Sequence, residues 1–123
     1  MEKRLLLVDD HAMVRSGWRQ LLEAKYEICG KAGNGQEAIG KAVALKPDLV
    51  IMDMTMPVMN GADAARKIRA LLPQTKILMV SLHDGHSLEL SAQAAGADAA
   101  ISKSSQDLPV LVDRLLGAET RLN

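Results

Sequence analysis

The chain has 123 residues, 48% of them hydrophobic, with 15 basic side chains against 15 acidic ones. That length suits one domain with a sizeable core, and the cancelled charge excludes a global attraction to nucleic acid or to an anionic membrane. No apolar run reaches membrane-spanning length, no signal-peptide pattern opens the chain, and the lone Cys29 excludes an internal disulfide and suits a reducing cytoplasm.

Leu5–Val8 is the first apolar segment and ends at Asp9-Asp10. Beyond it Met13, Val14, Trp18, Leu21 and Leu22 recur at helical intervals, predicting a helix with one buried stripe and a surface His11 at its start. The segment around Tyr26–Ala32 is a second strand, with Cys29 as a small apolar strand residue. Asn34, three residues before Glu37, starts a helix that runs to about Leu45 and breaks at Pro47-Asp48. Leu49–Met52 is a central strand ending at Asp53. Asn60 and Asp63 repeat the start signal, Ala64, Ala65, Ile68, Leu71 and Leu72 follow, and Pro73 is the stop. Ile77–Val80 ends at Ser81, a fourth helix spans about His86–Ala95 with Gly96 closing it, and Ala99–Ser102 ends at Lys103. The last helix begins near Ser105–Asp107, tolerates Pro109 in its first turn, and carries Val112, Leu115 and Leu116. A domain over residues 1–117 is expected, with 118–123 as a tail or truncated linker.

Strand then helix, five times over, predicts a single-domain α/β fold with a parallel sheet covered on both faces. With Trp18 and Tyr26 as the only aromatic residues, the core must be built from Leu, Ile, Val, Met and Ala, and stability should be modest. Ligands of such sheets bind just beyond the carboxyl ends of the strands. One rim would therefore gather Asp9, Asp10, Asp53, Ser81 and Lys103. Its three carboxylates repel one another, and a hard cation such as Mg²⁺, content with one or two carboxylates, waters and phosphate oxygens, relieves that cost. Lys103 and the Ser81 hydroxyl suit phosphoryl oxygens. Asp53 is the carboxylate left to take a phosphoryl group as an aspartyl-phosphate.

The stretches LLLVDDHAMVRSGWRQLLE (Leu5–Glu23), PDLVIMDMTMPVMNG, ILMVSLHDG and AAGADAAISKSS, in that order, resemble the receiver domain of two-component response regulators over nearly the whole chain. The opening stretch is most similar to receivers that precede a helix-turn-helix DNA-binding domain. The resemblance implies a flavodoxin-like fold with strand order 2-1-3-4-5. It implies that Asp53 is the phosphoacceptor and Asp10 a direct Mg²⁺ ligand, with Asp9 holding the metal partly through water. Asp53 and the backbone carbonyl of Thr55 complete the protein ligands, with Mn²⁺ as an alternative metal. Ser81 would be the switch hydroxyl, Lys103 the partner of Asp53 or its phosphoryl group, and Pro57 and Gly61 would shape the loop beyond the acceptor. The implied donor is a histidine kinase, a phosphotransfer protein or a small acyl phosphate, and the chain is expected to be a signalling module, not an enzyme. It would control an output partner or domain, with a homodimer face left open, cytoplasmic placement, no membrane and no nucleic-acid contact by this segment itself.

Several residues depart from the family pattern. Ala100 stands where receivers usually carry Tyr or Phe, and Leu82 where many keep a small residue beside the phosphoryl site. Thr55 and His83 occupy positions that tune phosphoryl lifetime in the family. Two other readings share some of these residues: a receiver-fold interaction module acting without phosphorylation, and a haloacid-dehalogenase-like phosphohydrolase. The latter needs a carboxylate two residues past the nucleophile, where Thr55 stands, and an acidic pair after the Lys, whereas here the pair is N-terminal. Met52, Met54 and Met56 are read as core filling, since strand alternation puts Met52 and Met54 on the face opposite Asp53. His83 and His86 lack a third metal ligand, and Gly30, Gly33 and Gly35 do not form a dinucleotide fingerprint.

Overall fold

A computed structural model describes residues 2–82 and 86–117. In chain order the elements are β1 (Arg4–Val8), α1 (Ala12–Leu22), β2 (Glu27–Ala32), α2 (Gly35–Leu45), β3 (Leu49–Asp53), α3 (Gly61–Leu71), β4 (Lys76–Ser81), α4 (His86–Ala94), β5 (Ala99–Ser102) and α5 (Leu108–Leu115). The strands pair in parallel in the order β2-β1-β3-β4-β5, the flavodoxin-like arrangement expected. Every residue of β3 is buried, because it has a strand on each side and helices on each face. No helix among the described residues is long and apolar enough to cross a membrane.

The two faces of the sheet are filled differently. On one, Leu6, Val8, Val50, Met52, Ile77 and Met79 meet helices that offer mostly alanine: Ala38 and Ala42 of α2, Ala64 and Ala65 of α3, and Ala92 of α4. Here the bulk comes from the strands, so the helices can lie close to the sheet. On the other face, Leu5, Leu7, Leu49, Ile51, Leu78 and Val80 pack against Trp18 and Leu22 of α1 and Leu108 and Val112 of α5. Met52 and Met54 belong to the first face and Asp53 continues the second, as alternation requires.

The predicted stripes are too wide at three places. Met13, Leu21 and Leu71 are 88%, 59% and 57% exposed. Only Trp18 and Leu22 of α1 are fully buried, because a short helix on a sheet edge presents a narrow contact line. The start signals hold: Asn34 accepts from the N–H of Glu37 at 2.8 Å and Asn60 from that of Asp63 at 2.9 Å. Glu37 reaches back to the N–H of Gly33 at 3.0 Å, so both ends of the pair are used. Gly96 closes the turn after α4 with φ +85°. Beside it, Arg69 donates to the carbonyls of Gly96, Pro73 and Thr75 at 3.0, 2.8 and 2.9 Å and pairs with Asp98 at 2.5 Å. One guanidinium thereby ties the end of α3 to the loops that enter β4 and β5.

Val58, in the loop between β3 and α3, has φ +68° and is 84% exposed. A β-branched side chain in the left-handed region costs about 1–2 kcal/mol, and an exposed one gains little packing in return. Val58→Asn, which places a residue tolerant of that region, should raise the unfolding free energy by about 1 kcal/mol in urea melts with an unchanged slope.

Candidate functional site

The rim is assembled by backbone bonds that continue just past the strands. Asp9 N–H donates to the Ala32 carbonyl at 3.1 Å, Met54 N–H to Val80 at 2.8 Å, and Lys103 N–H to Ser81 at 2.7 Å. Asp9, Asp53 and Lys103 keep the alternation of Leu5-Leu7, Leu49-Ile51 and Ala99-Ile101, so all three emerge on the side covered by α1 and α5. There the Lys103 ammonium lies 2.8 Å from Asp9 Oδ2 and 3.3 Å from Asp53 Oδ2.

This trio is buried and carries one negative charge in excess. The Asp9 side chain is 0% exposed, that of Asp53 8% and that of Lys103 13%. Burial, and then the like charge of Asp9, push the Asp53 carboxyl above its ordinary value, against the opposing pull of Lys103. For Lys103, burial alone would lower the ammonium, but the hydrogen bond to Asp9 and the charges of Asp53 and Asp9 outweigh it and the net shift is upward. The ammonium therefore stays charged, while ionisation of Asp53 is disfavoured relative to an ordinary carboxyl.

Asp9 Oδ1 faces the other way. It accepts the N–H of His11 at 2.8 Å, and the His11 ring nitrogen Nδ1 lies 3.3 Å from it and 3.2 Å from Asp10 Oδ1. Arg15 donates to the backbone carbonyl of Asp9. Ligand atoms of Asp9, Asp10 and His11 all lie within 4.8 Å of one another, with Asp10 and His11 exposed. A buried carboxylate beside a solvent-facing one suits Mg²⁺, which needs only one or two carboxylates and keeps several waters.

The expected metal ligands are thus only partly gathered. Asp9 and Asp10 cluster, whereas Asp53 stands outside that group and joins it through Lys103. Thr55 is exposed, and its N–H donates to Asp53 Oδ1 at 3.4 Å. Ser81 is buried at the end of β4, next to Val80, which pairs with Asp53 across the sheet. Leu82 is 78% exposed, Ala100 is half-buried against the alanine-lined face, and His83 lies outside the described residues. His11 is at the surface as expected, but its place beside both acids was not. The available signal was a residue two positions after an Asp, the spacing at which a carboxylate accepts a backbone N–H. Gly61 has a structural reason to be glycine: a Cβ there would sit 2.1 Å from the Asp53 carbonyl oxygen. The start of α3 is thereby pressed onto the end of β3.

Comparison with known proteins agrees with this geometry. A family model described as the response regulator receiver domain matches residues 5–115. The chain is 43% identical over 107 residues to the chemotaxis protein CheY of Thermotoga maritima, covering 86% of this chain and 89% of that protein. It is 40% identical to the response regulator protein VraR of Staphylococcus aureus over 85% of this chain, and spans only 51% of VraR. Among solved structures, a LuxR-family two-component response regulator from Aurantimonas sp. SI85-9A1 superposes with TM-score 0.87 at 32% identity, covering 99% of this chain and 90% of that one.

The raised carboxyl of Asp53 has a consequence for stability. A folded-state value above the unfolded one favours the fold when the group is protonated, and that contribution is lost as pH rises through the folded value. Asp53→Asn removes the cost of ionisation and leaves Lys103 paired with Asp9. The variant should melt a few degrees higher than the parent near neutral pH, with the gap closing as pH falls into the ordinary carboxylate range. Paired thermal melts across that range, without divalent metal, check it.

Proposed function

This chain belongs to the response regulator receiver domain family, and from that membership we propose that Asp53 accepts a phosphoryl group from a phosphohistidine on a partner kinase or phosphotransfer protein. The observation that carries the reading is Lys103 held between Asp9 and Asp53 at the strand ends, with Asp10 open to solvent beside them. An Asp53 carboxylate oxygen attacks phosphorus, the new O–P bond forms as the P–N bond to histidine breaks, and the imidazole leaves with the electron pair. Lys103 offsets charge on the acceptor and the phosphoryl oxygens, and the Ser81 hydroxyl donates to one of them. Asp10 and Asp9, with Asp53 and the Thr55 carbonyl, would hold Mg²⁺, which when bound neutralises phosphoryl charge.

The product is a changed surface rather than a released molecule. With Ala100 in place of a ring, the change is carried by the segment that follows Ser81, whose carbonyl already accepts from the Lys103 N–H at 2.7 Å. Control of an attached DNA-binding domain or a separate output partner fits a chain that spans about half of VraR and nine-tenths of the Thermotoga CheY. A dehalogenase-like hydrolase is disfavoured because the position two beyond Asp53 holds an exposed Thr55, which cannot serve as acid or base there.

Intact mass after incubation with acetyl phosphate and Mg²⁺ tests the proposal. One added phosphoryl group is expected on the parent, with none after metal chelation and none on Asp53→Asn. An adduct that persists in Asp53→Asn would move the acceptor elsewhere. Failure with acetyl phosphate, with beryllofluoride and with a phosphorylated kinase would leave a receiver fold that works without phosphate.

A further inference from the structure

A second opening lies between α1 and the edge strand β2, with a volume of about 410 Å³. It exists because β2 carries one residue more than its neighbour. Leu5 pairs with Ile28 but Leu6 pairs with Gly30, so the strand bulges at Cys29. Opposite the bulge α1 contributes the small residues Ala12 and Ser16 along with its two arginines, Arg15 and Arg19. The volume falls within the range of small-molecule clefts, about 300–1,000 Å³.

Its chemistry is one-sided. Arg15, Arg19 and Lys31 line it, and no carboxylate does. Arg19 and Lys31 have no acidic partner among the described residues, in contrast to Arg4, Arg66 and Arg69, which pair with Glu27, Asp63 and Asp98. Arg15 spends its contact on the neutral backbone carbonyl of Asp9, and its Nε is buried without a hydrogen-bond partner among the described residues. A buried donor left unmatched is costly, and an oxyanion is the acceptor that three cationic residues lining one cleft favour. Leu7 and Ile28 supply an apolar floor beneath them.

We infer that the cleft between α1 and β2 binds a compact organic anion, its carboxylate or phosphate held by Arg15, Arg19 and Lys31 and its apolar body laid on Leu7 and Ile28. Cations fix the charged end and the floor selects against bare inorganic ions. Asp53 is not among the residues that line it, and the proposal stands whether or not Asp53 is phosphorylated.

Amide NMR titrations of the whole chain, without Mg²⁺, test this with phenyl phosphate, benzoate, inorganic phosphate and uncharged phenol. Saturable shifts are expected at Ser16, Ile28, Gly30 and Lys31 with phenyl phosphate or benzoate, and the tighter of the two identifies the head group. Arg19→Gln and Lys31→Gln, both at exposed positions, should each weaken that binding about tenfold while leaving the melting temperature in place. Inorganic phosphate should bind more weakly, and phenol should give no saturable shift. Linear shifts up to the solubility limit would overturn the proposal. So would shifts confined to Asp10 and Asp53, binding unchanged in both Arg19→Gln and Lys31→Gln, or inorganic phosphate binding as tightly as phenyl phosphate.

Discussion

One ammonium shared by two buried carboxylates governs the rim of this protein. Asp9 has no exposed side-chain surface, and its Oδ2 faces the Lys103 ammonium at 2.8 Å. Lys103, 13% exposed, depends equally on having an acid within reach. The pair demands that β1 and β5, with β3 and β4 between them, end level with one another, and the ladder bonds continuing past the strands secure that level. Around that ammonium stand two buried carboxylates, with the exposed Asp10 adjoining Asp9.

The scaffold serves that geometry by moving bulk out of the helices. Alanines of α2, α3 and α4 lie directly on the Leu, Val, Ile and Met side chains of the sheet. Gly61 takes this to its limit, since even one methyl at the start of α3 would collide with the backbone of Asp53. Asp53 is thus held from behind by packing and in front by charge. Neither constraint alone would set its position, because Asp53 is reached by Lys103 at only 3.3 Å and by Thr55 N–H at 3.4 Å.

Much of this was legible in the residues because a parallel strand buried on both faces reads as a continuous apolar run. The polar residue that ends each run marks the rim. Asp9, Asp53, Ser81 and Lys103 were visible for that reason, and the caps at Asn34 and Asn60 followed from side-chain spacing. Periodicity gives the direction of a helix stripe but not its width, which is why Met13, Leu21 and Leu71 were placed in a core they do not enter. The contact of His11 with both acids depends on a loop turning back on itself, and the extra residue in β2 on pairing between distant segments. Arg15, Arg19 and Lys31 read singly as solvated charges, and only the fold places them around one cleft.

The missing ring at position 100 shifts where a signal must travel on the proposed reading. Ala100 borders a groove of about 360 Å³ between α4 and β5, where a larger side chain would have mass to move and this one has none. What couples β5 to β4 at the rim is instead backbone: the Lys103 N–H on the Ser81 carbonyl. New negative charge on Asp53 would change the balance by which Lys103 divides itself between two acids, and any shift of its stem bears on that same bond. Ser81 leads directly into an exposed Leu82, so displacement there alters apolar surface without any aromatic rotation. A two-state element needs only unequal contacts with the phosphoryl group in its two forms, and a lysine with two competing carboxylates already supplies them.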